Sequence, residues 1–223
     1  MPVDLYYHKI SAPCRSVMLT AKAIGLTLNL KELDVLKGEQ MKPEFLAINP
    51  QHTIPTMVDG HIKLWESRAI CSYLASQYGK DDSLYPANPK ARCMVDQRLY
   101  FDMGTLQQRW YNYYAPVLFQ GKKPDPENRE KVEEALKWLN DVLKEYPWVA
   151  GNKMTVADFC LAATVSTMNA SGVVDMQQHT RIDKWIQKCA KQMAGYNDIN
   201  APGAEAFGDF YKSKIQPLDD SEN

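Results

Sequence analysis

The chain has 223 residues with 45% hydrophobic content, enough to bury a sizeable core as one large domain or, the better fit to its pattern, two small ones. Its 26 Lys and Arg against 27 Asp and Glu leave a formal net charge of -1, which supplies no global field for nucleic acid or an anionic membrane, so any anion site must be local. Cys14, Cys71, Cys93, Cys160 and Cys189 are odd in number and scattered, as are His8, His52, His61 and His179, which excludes a disulfide framework and argues against a metal site.

The opening "MPVDLYYHKI" lacks the basic region and apolar run of a secretory signal, and no apolar run approaches the ~18 residues that suggest a membrane span. The expectation is a soluble, cytoplasmic protein. "VDLYYH" alternates Val3, Leu5 and Tyr7 on one face and reads as a strand. "CRSVMLTAKAIG" places Val17, Met18, Ala21 and Ile24 at helical spacing and stops at Gly25. "LNLKELDV" reads as a second strand, and a helix bridging two such strands favours a parallel crossover. Beyond it come a short helix, a loop broken by Pro50 and Pro55, a hairpin turning at Asp59-Gly60, and a helix opening near Glu66. This βαβ-α-ββα order is that of a thioredoxin-like α/β layer.

The polar, proline-punctuated "GKDDSLYPANPKA" reads as a linker, after which the pattern is all helical. Leu136, Leu139 and Leu143 recur at helical intervals. Thr155 stands three residues before Asp158 and opens "TVADFCLAATVSTM" as a capping box does. The predicted layout is an α/β domain at 1–79, a linker at 80–89 and an all-α domain at 90–223, with the final "DDSEN" a flexible tail without assigned function.

Three short stretches carry chemistry. In "ISAPCRSV", Ser11-Ala12-Pro13-Cys14 has the spacing of a Cys-x-x-Cys site with its first sulfur replaced by oxygen. Ser11 falls just before the first helix, where Pro13 suits the opening turn and free N–H groups create positive potential. Its hydroxyl can cap the helix, or donate to a thiolate and lower its pKa. Cys14 competes as a nucleophile at the same terminus or packs as a small apolar side chain. In "NPQHTIPTMVDG", a cis Pro55 would leave the backbone of Ile54 at an open sheet edge, able to pair with a peptide ligand, and His52 could meet a ligand carboxylate. In "WESRAI", Ser67 and a helix start make an anion site while Glu66 offers a place for an ammonium group, with Arg68 beside them. Together the three describe recognition of a small thiol peptide.

With these residues in place the sequence resembles the glutathione S-transferases, and among them the insect delta class. The likeness runs through "SAPCRSV", "LKGEQMKPEFLAINPQHTIPT", "LWESRAICSYL", "RLYFDMGTL" and "VADFCLA", five stretches in order over essentially the whole chain. It implies a thioredoxin-like N-terminal domain, an all-helical C-terminal domain, a homodimer, and glutathione as co-substrate with no metal. Carried onto matching positions, Ser11 would hold the glutathione thiolate. Ile54 would pair through its backbone with the cysteinyl unit and Pro55 would be the cis-proline. Glu66 and Ser67 would hold the γ-glutamyl end with Arg68 assisting nearby. His52 and Gln40 would meet the glycyl carboxylate, and Thr53 would also belong to the glutathione-binding set. Asp158 would cap the central helix of the second domain.

Ala12, Pro13 and Val35 on one side, and Trp110, Tyr113, Phe119 and Phe207 on the other, would form the wall for a hydrophobic electrophile. Three departures stand out: Gln40 replaces a frequent histidine, Ile10 a common glycine, and Gln107 a frequent aromatic. The activity implied is conjugation of glutathione to hydrophobic electrophiles in detoxification, with peroxidase or dehydrohalogenase activity beside it. The alternatives are a thioltransferase that uses Cys14 covalently and a non-catalytic binding module on the same fold.

Overall fold

The computed structural model describes residues 2–219; residues 220–223 of the expected tail lie outside the described residues. Strand β1 (Val3–Tyr7) turns Val3 and Leu5 into the core, as its alternation requires. Helix α1 (Ala12–Ile24) ends at Gly25, whose left-handed backbone (φ 75°) returns its N–H to the carbonyls of Ala21 and Lys22. The chain then runs back as β2 (Leu28–Glu32), parallel to β1 with Leu5 opposite Leu30. Helix α2 (Pro43–Leu46) precedes an antiparallel hairpin of β3 (Thr56–Asp59) and β4 (Ile62–Trp65). The sheet order is β2-β1-β3-β4, with β1 antiparallel to β3. Helix α3 (Ser67–Tyr78) closes this part. No helix or strand occupies 79–88.

The remainder is helical: α4 (Pro89–Phe101), α5 (Gln107–Gln120), α6 (Pro126–Glu145), α7 (Val156–Ser171), α8 (Thr180–Gln192) and α9 (Ala201–Asp219). Asp102–Leu106 forms a π turn that joins α4 to α5 without a break. Helix α6 buries Leu136 and Leu139 and leaves its other face polar. Helix α7 is apolar on nearly every side, and it is correspondingly buried from Val156 to Met168 between α1 and α9.

The start of α7 is held by Asp158. Its carboxyl accepts from the backbone N–H groups of Val149 (3.0 Å) and Thr155 (2.9 Å) and from the Trp185 indole (3.1 Å). One side chain thereby ties α7 to α8 and to the loop before it. Burial raises this carboxyl to about 6 even against those donors. Among the described residues no helix is long and apolar enough to cross a membrane. All five cysteines are free thiols, and only Cys93 is exposed.

Candidate active site

Ser11 is the N-cap of α1, and its oxygen accepts the N–H of Cys14 at 3.4 Å. A hydroxyl has two lone pairs and one proton, so capping the helix leaves its O–H free to donate outward. The two roles left open by the sequence are compatible in one side chain. The first turn of α1 carries no acidic residue, so the positive potential of the helix start is not neutralised locally. Cys14 points the other way: it is fully buried, and burial pushes its thiol up to about 11 although the Ser11 hydroxyl pulls it down.

The loop entering Ser11 is gripped from behind by Arg15, whose guanidinium is fully buried. It donates to the carbonyls of Lys9 (3.2 Å) and Ile10 (2.7 Å), to Asn200 Oδ1 (3.1 Å), and to the Thr167 hydroxyl. Each of these acceptors is neutral, and burial lowers its pKa to about 10. Gly203 makes room for it, since a Cβ there would lie 2.5 Å from both Arg15 Cδ and the Lys9 carbonyl oxygen.

A cleft of about 430 Å³ opens over Ser11. One side is built by Ser11, Ala12, Pro13, Val35, Gln40, His52, Thr53 and Ile54; the other by Trp110, Tyr114, Leu118, Phe119, Phe207 and Thr164 from α5, α9 and α7. The Ile54-Pro55 peptide is cis, and Asn49 braces this loop by donating to the carbonyl and hydroxyl of Thr53 and to the hydroxyl of Thr56. Gln40 Oε1 is buried with no partner.

Eleven of the residues expected at the site line this one cleft, and five do not. Pro55 is buried behind it. Glu66 is exposed at the start of α3 with a positive φ of 70°, a backbone state that costs a non-glycine residue about 1–3 kcal/mol and that concentrates at functional sites. Ser67 is buried and accepts from Arg68 at 2.9 Å. Arg68 grips Asp102 through Nε (3.0 Å) and Nη2 (2.5 Å) and reaches Gln107 (2.8 Å), so it ties α3 to α5. Burial works against its charge, but Asp102 outweighs burial and raises the pKa.

Tyr113 is a correction. It is buried, stacked on Trp110 with ring centroids 5.8 Å apart, and does not line the cleft. At about 100° per residue, positions 107, 110, 111, 114 and 118 share an arc of about 100°, and 113 falls about 60° outside it. Tyr111 and Tyr114 stand there instead. Trp110 alone does not decide it, since 113 lies about 60° to one side of it and 107 about 60° to the other. Thr164 and Thr167, three residues apart on apolar α7, also line the cleft and were marked only by their polarity.

Comparison with known proteins agrees with this geometry. Residues 1–76 match the family model "Glutathione S-transferase, N-terminal domain" and residues 90–192 match "Glutathione S-transferase, C-terminal domain". The chain is 47% identical over 214 residues to glutathione S-transferase D7 of Anopheles gambiae, covering 95% of this chain and 98% of the relative. Among solved structures, a delta-class glutathione transferase of Nilaparvata lugens superposes with a TM-score of 0.93 at 46% identity, covering 96% of this chain and 100% of that one. A glutathione transferase homologue from Drosophila mojavensis, solved with bound glutathione, gives 0.91 at 36% identity over 96% and 97% of the two chains. A thioredoxin-like sheet with a serine at its helix start, a helical half completing the cleft, and matches along nearly the whole length place this chain in the glutathione S-transferase family, with insect delta-class enzymes among its relatives.

Proposed function

We propose that this enzyme conjugates reduced glutathione to hydrophobic electrophiles, with the Ser11 hydroxyl donating to the glutathione thiolate. The observation that carries the reading is the position of Ser11, whose cap uses a lone pair and spares the proton, on the floor of a cleft with one polar and one apolar side. The relative solved with bound glutathione supports a glutathione site in this fold.

In this reading the Ile54 backbone pairs with the cysteinyl unit beside cis Pro55, and Thr53 assists. Glu66 and Ser67 take the γ-glutamyl ammonium and carboxylate, with Arg68 positioning Ser67. His52 and the Gln40 amide N–H meet the glycyl carboxylate. The thiolate lone pair then forms the C–S bond and the leaving group departs with its electron pair, so the protein contributes proximity and charge stabilisation rather than a covalent intermediate. Depressing a thiol pKa by ~2 units is worth about 2.7 kcal/mol; the positive end of α1 shares that task with the hydroxyl. The electrophile rests against Trp110, Phe119 and Phe207. Exposed Tyr100 and Met103 suit a face that pairs with a second copy, and free thiols suit a reducing cytoplasm.

The test is the pH profile of kcat/KM with 1-chloro-2,4-dinitrobenzene for Ser11→Ala and Cys14→Ala. Loss of the hydroxyl is expected to move the acid limb upward and lower kcat/KM at pH 6.5 by 10-fold or more. If Cys14→Ala abolishes turnover and Ser11→Ala spares it, the thioltransferase reading replaces this one. Glutathione binding without turnover of any electrophile would make the protein a binding module.

A further inference from the structure

Gln107 opens α5 and lines the same cleft as Ser11, among Trp110, Tyr114 and Phe207. Its Oε1 accepts from Arg68 Nη2 at 2.8 Å and from the Thr164 hydroxyl at 3.2 Å. A guanidinium has no acceptor, so the amide atom that faces Arg68 must be the oxygen. That fixes the carboxamide and turns Nε2 away from Arg68. Among the described residues Nε2 meets no acceptor, yet it is not one of the buried polar atoms left without a partner. Nε2 is therefore not sealed inside the protein, and Gln107 is a lining residue of the cleft. Behind the oxygen stand Arg68 and its partner Asp102. A cation on the acceptor side polarises the amide and strengthens its N–H as a donor.

We propose that Gln107 is a substrate-contacting residue that selects electrophiles with an acceptor oxygen conjugated to the carbon under attack, namely α,β-unsaturated aldehydes and ketones. The assignment rests on the reading that a glutathione thiolate forms at Ser11. The sulfur lone pair forms the C–S bond at the β carbon, the alkene π pair moves into the Cα–carbonyl bond, and the carbonyl π pair moves onto oxygen. Gln107 N–H donates to that enolate oxygen as its charge grows, and a proton from solvent ends on the α carbon. A benzylic halide places its developing charge on the departing halide, a weaker acceptor, and gains less from the same donor.

Gln107→Glu keeps an oxygen for Arg68 and Thr164 and loses the donor, whereas Gln107→Met loses both. With each variant and the parent enzyme, kcat/KM is measured for trans-2-hexenal and for benzyl chloride at saturating glutathione, with thermal midpoints as the folding control. The ratio of enal to chloride is expected to fall on the order of 10-fold in both variants. A ratio that holds in a folded Gln107→Glu enzyme overturns the assignment whatever Gln107→Met does. If the parent enzyme turns over both compounds and the ratio does not move, this assignment alone fails. Turnover of neither compound by the parent enzyme would remove the conjugation reading and this one with it.

Discussion

The Arg15 guanidinium donates to the Ile10 carbonyl at 2.7 Å, so the residue before Ser11 is fixed from the buried side of the loop. Replacing Arg15 by Met leaves the carbonyls of Lys9 and Ile10 and the Asn200 amide oxygen without a donor, at about 1–3 kcal/mol for each group that stays buried. Urea denaturation should find the variant at least about 3 kcal/mol less stable. Arg15→Lys keeps the charge but not the planar fork and should fall between the two. A Met variant as stable as the parent would contradict the bracing role.

Gly203 tests the same loop by crowding it. A Cβ there would meet Arg15 Cδ and the Lys9 carbonyl oxygen at 2.5 Å, while one at Gly104 would meet nothing within 4 Å. Gly203→Ala should cost about 1–3 kcal/mol through overpacking and lower kcat/KM for glutathione. Gly104→Ala should cost no stability, and equal thermal midpoints for the two variants would refute the crowding argument.

Cys14 should behave as packing. With its thiol near 11 it is protonated at neutral pH, so iodoacetamide applied to the folded protein should label exposed Cys93 first and leave Cys14 intact, as read by peptide mass. Cys14→Ala should lower stability by about 1–2 kcal/mol through the small cavity it leaves and keep turnover within about threefold of the parent. Rapid labelling of Cys14 would reverse this assignment.

Asp158 makes a pH prediction of unusual sign. Its carboxyl is raised to about 6 from an ordinary value of 3.8, so the folded state binds its proton more tightly than the unfolded chain does. That contribution is fully present below about pH 4 and is lost as pH rises through about 6. Asp158→Ala should destabilise at every pH, because the donors from Val149, Thr155 and Trp185 lose their acceptor. The gap to the parent should widen by about 2–3 kcal/mol between pH 7 and pH 4. Denaturant midpoints that converge on acidification would show the carboxylate to be the form the fold prefers.

The order of strands and helices was legible because each element has a local cause: alternation at Val3 and Leu5, a glycine at position 25, the Asp59-Gly60 turn, leucine spacing in α6. The Thr155–Asp158 pair was legible for the same reason, since both partners sit within one helical turn. What escaped the sequence depends on contacts between distant segments. Nothing local in the sequence marks Arg15, whose partners Asn200 and Thr167 lie more than 150 positions away. Arg68 reads as a loose cation near a ligand until Asp102 is seen 34 positions away. Tyr113 was misplaced for a subtler reason: a run of aromatic residues names the helix that walls the cleft, but only the rotation of that helix says which rings enter it.

The π turn at Asp102–Leu106 sets that rotation. One surplus residue in a helical repeat re-phases everything after it by about 100°, so the face that α4 would have continued is not the face α5 presents. The turn acts as a dislocation in an otherwise unbroken rod, and it lets the first half of the helix satisfy one set of neighbours while the second half aims Gln107, Trp110, Tyr114 and Leu118 at the cleft. Drawn as regular α-helix of the same length, the same residues would turn Tyr113 and Val117 to the cleft in their stead, and so rewrite the substrate wall without changing one of its side chains.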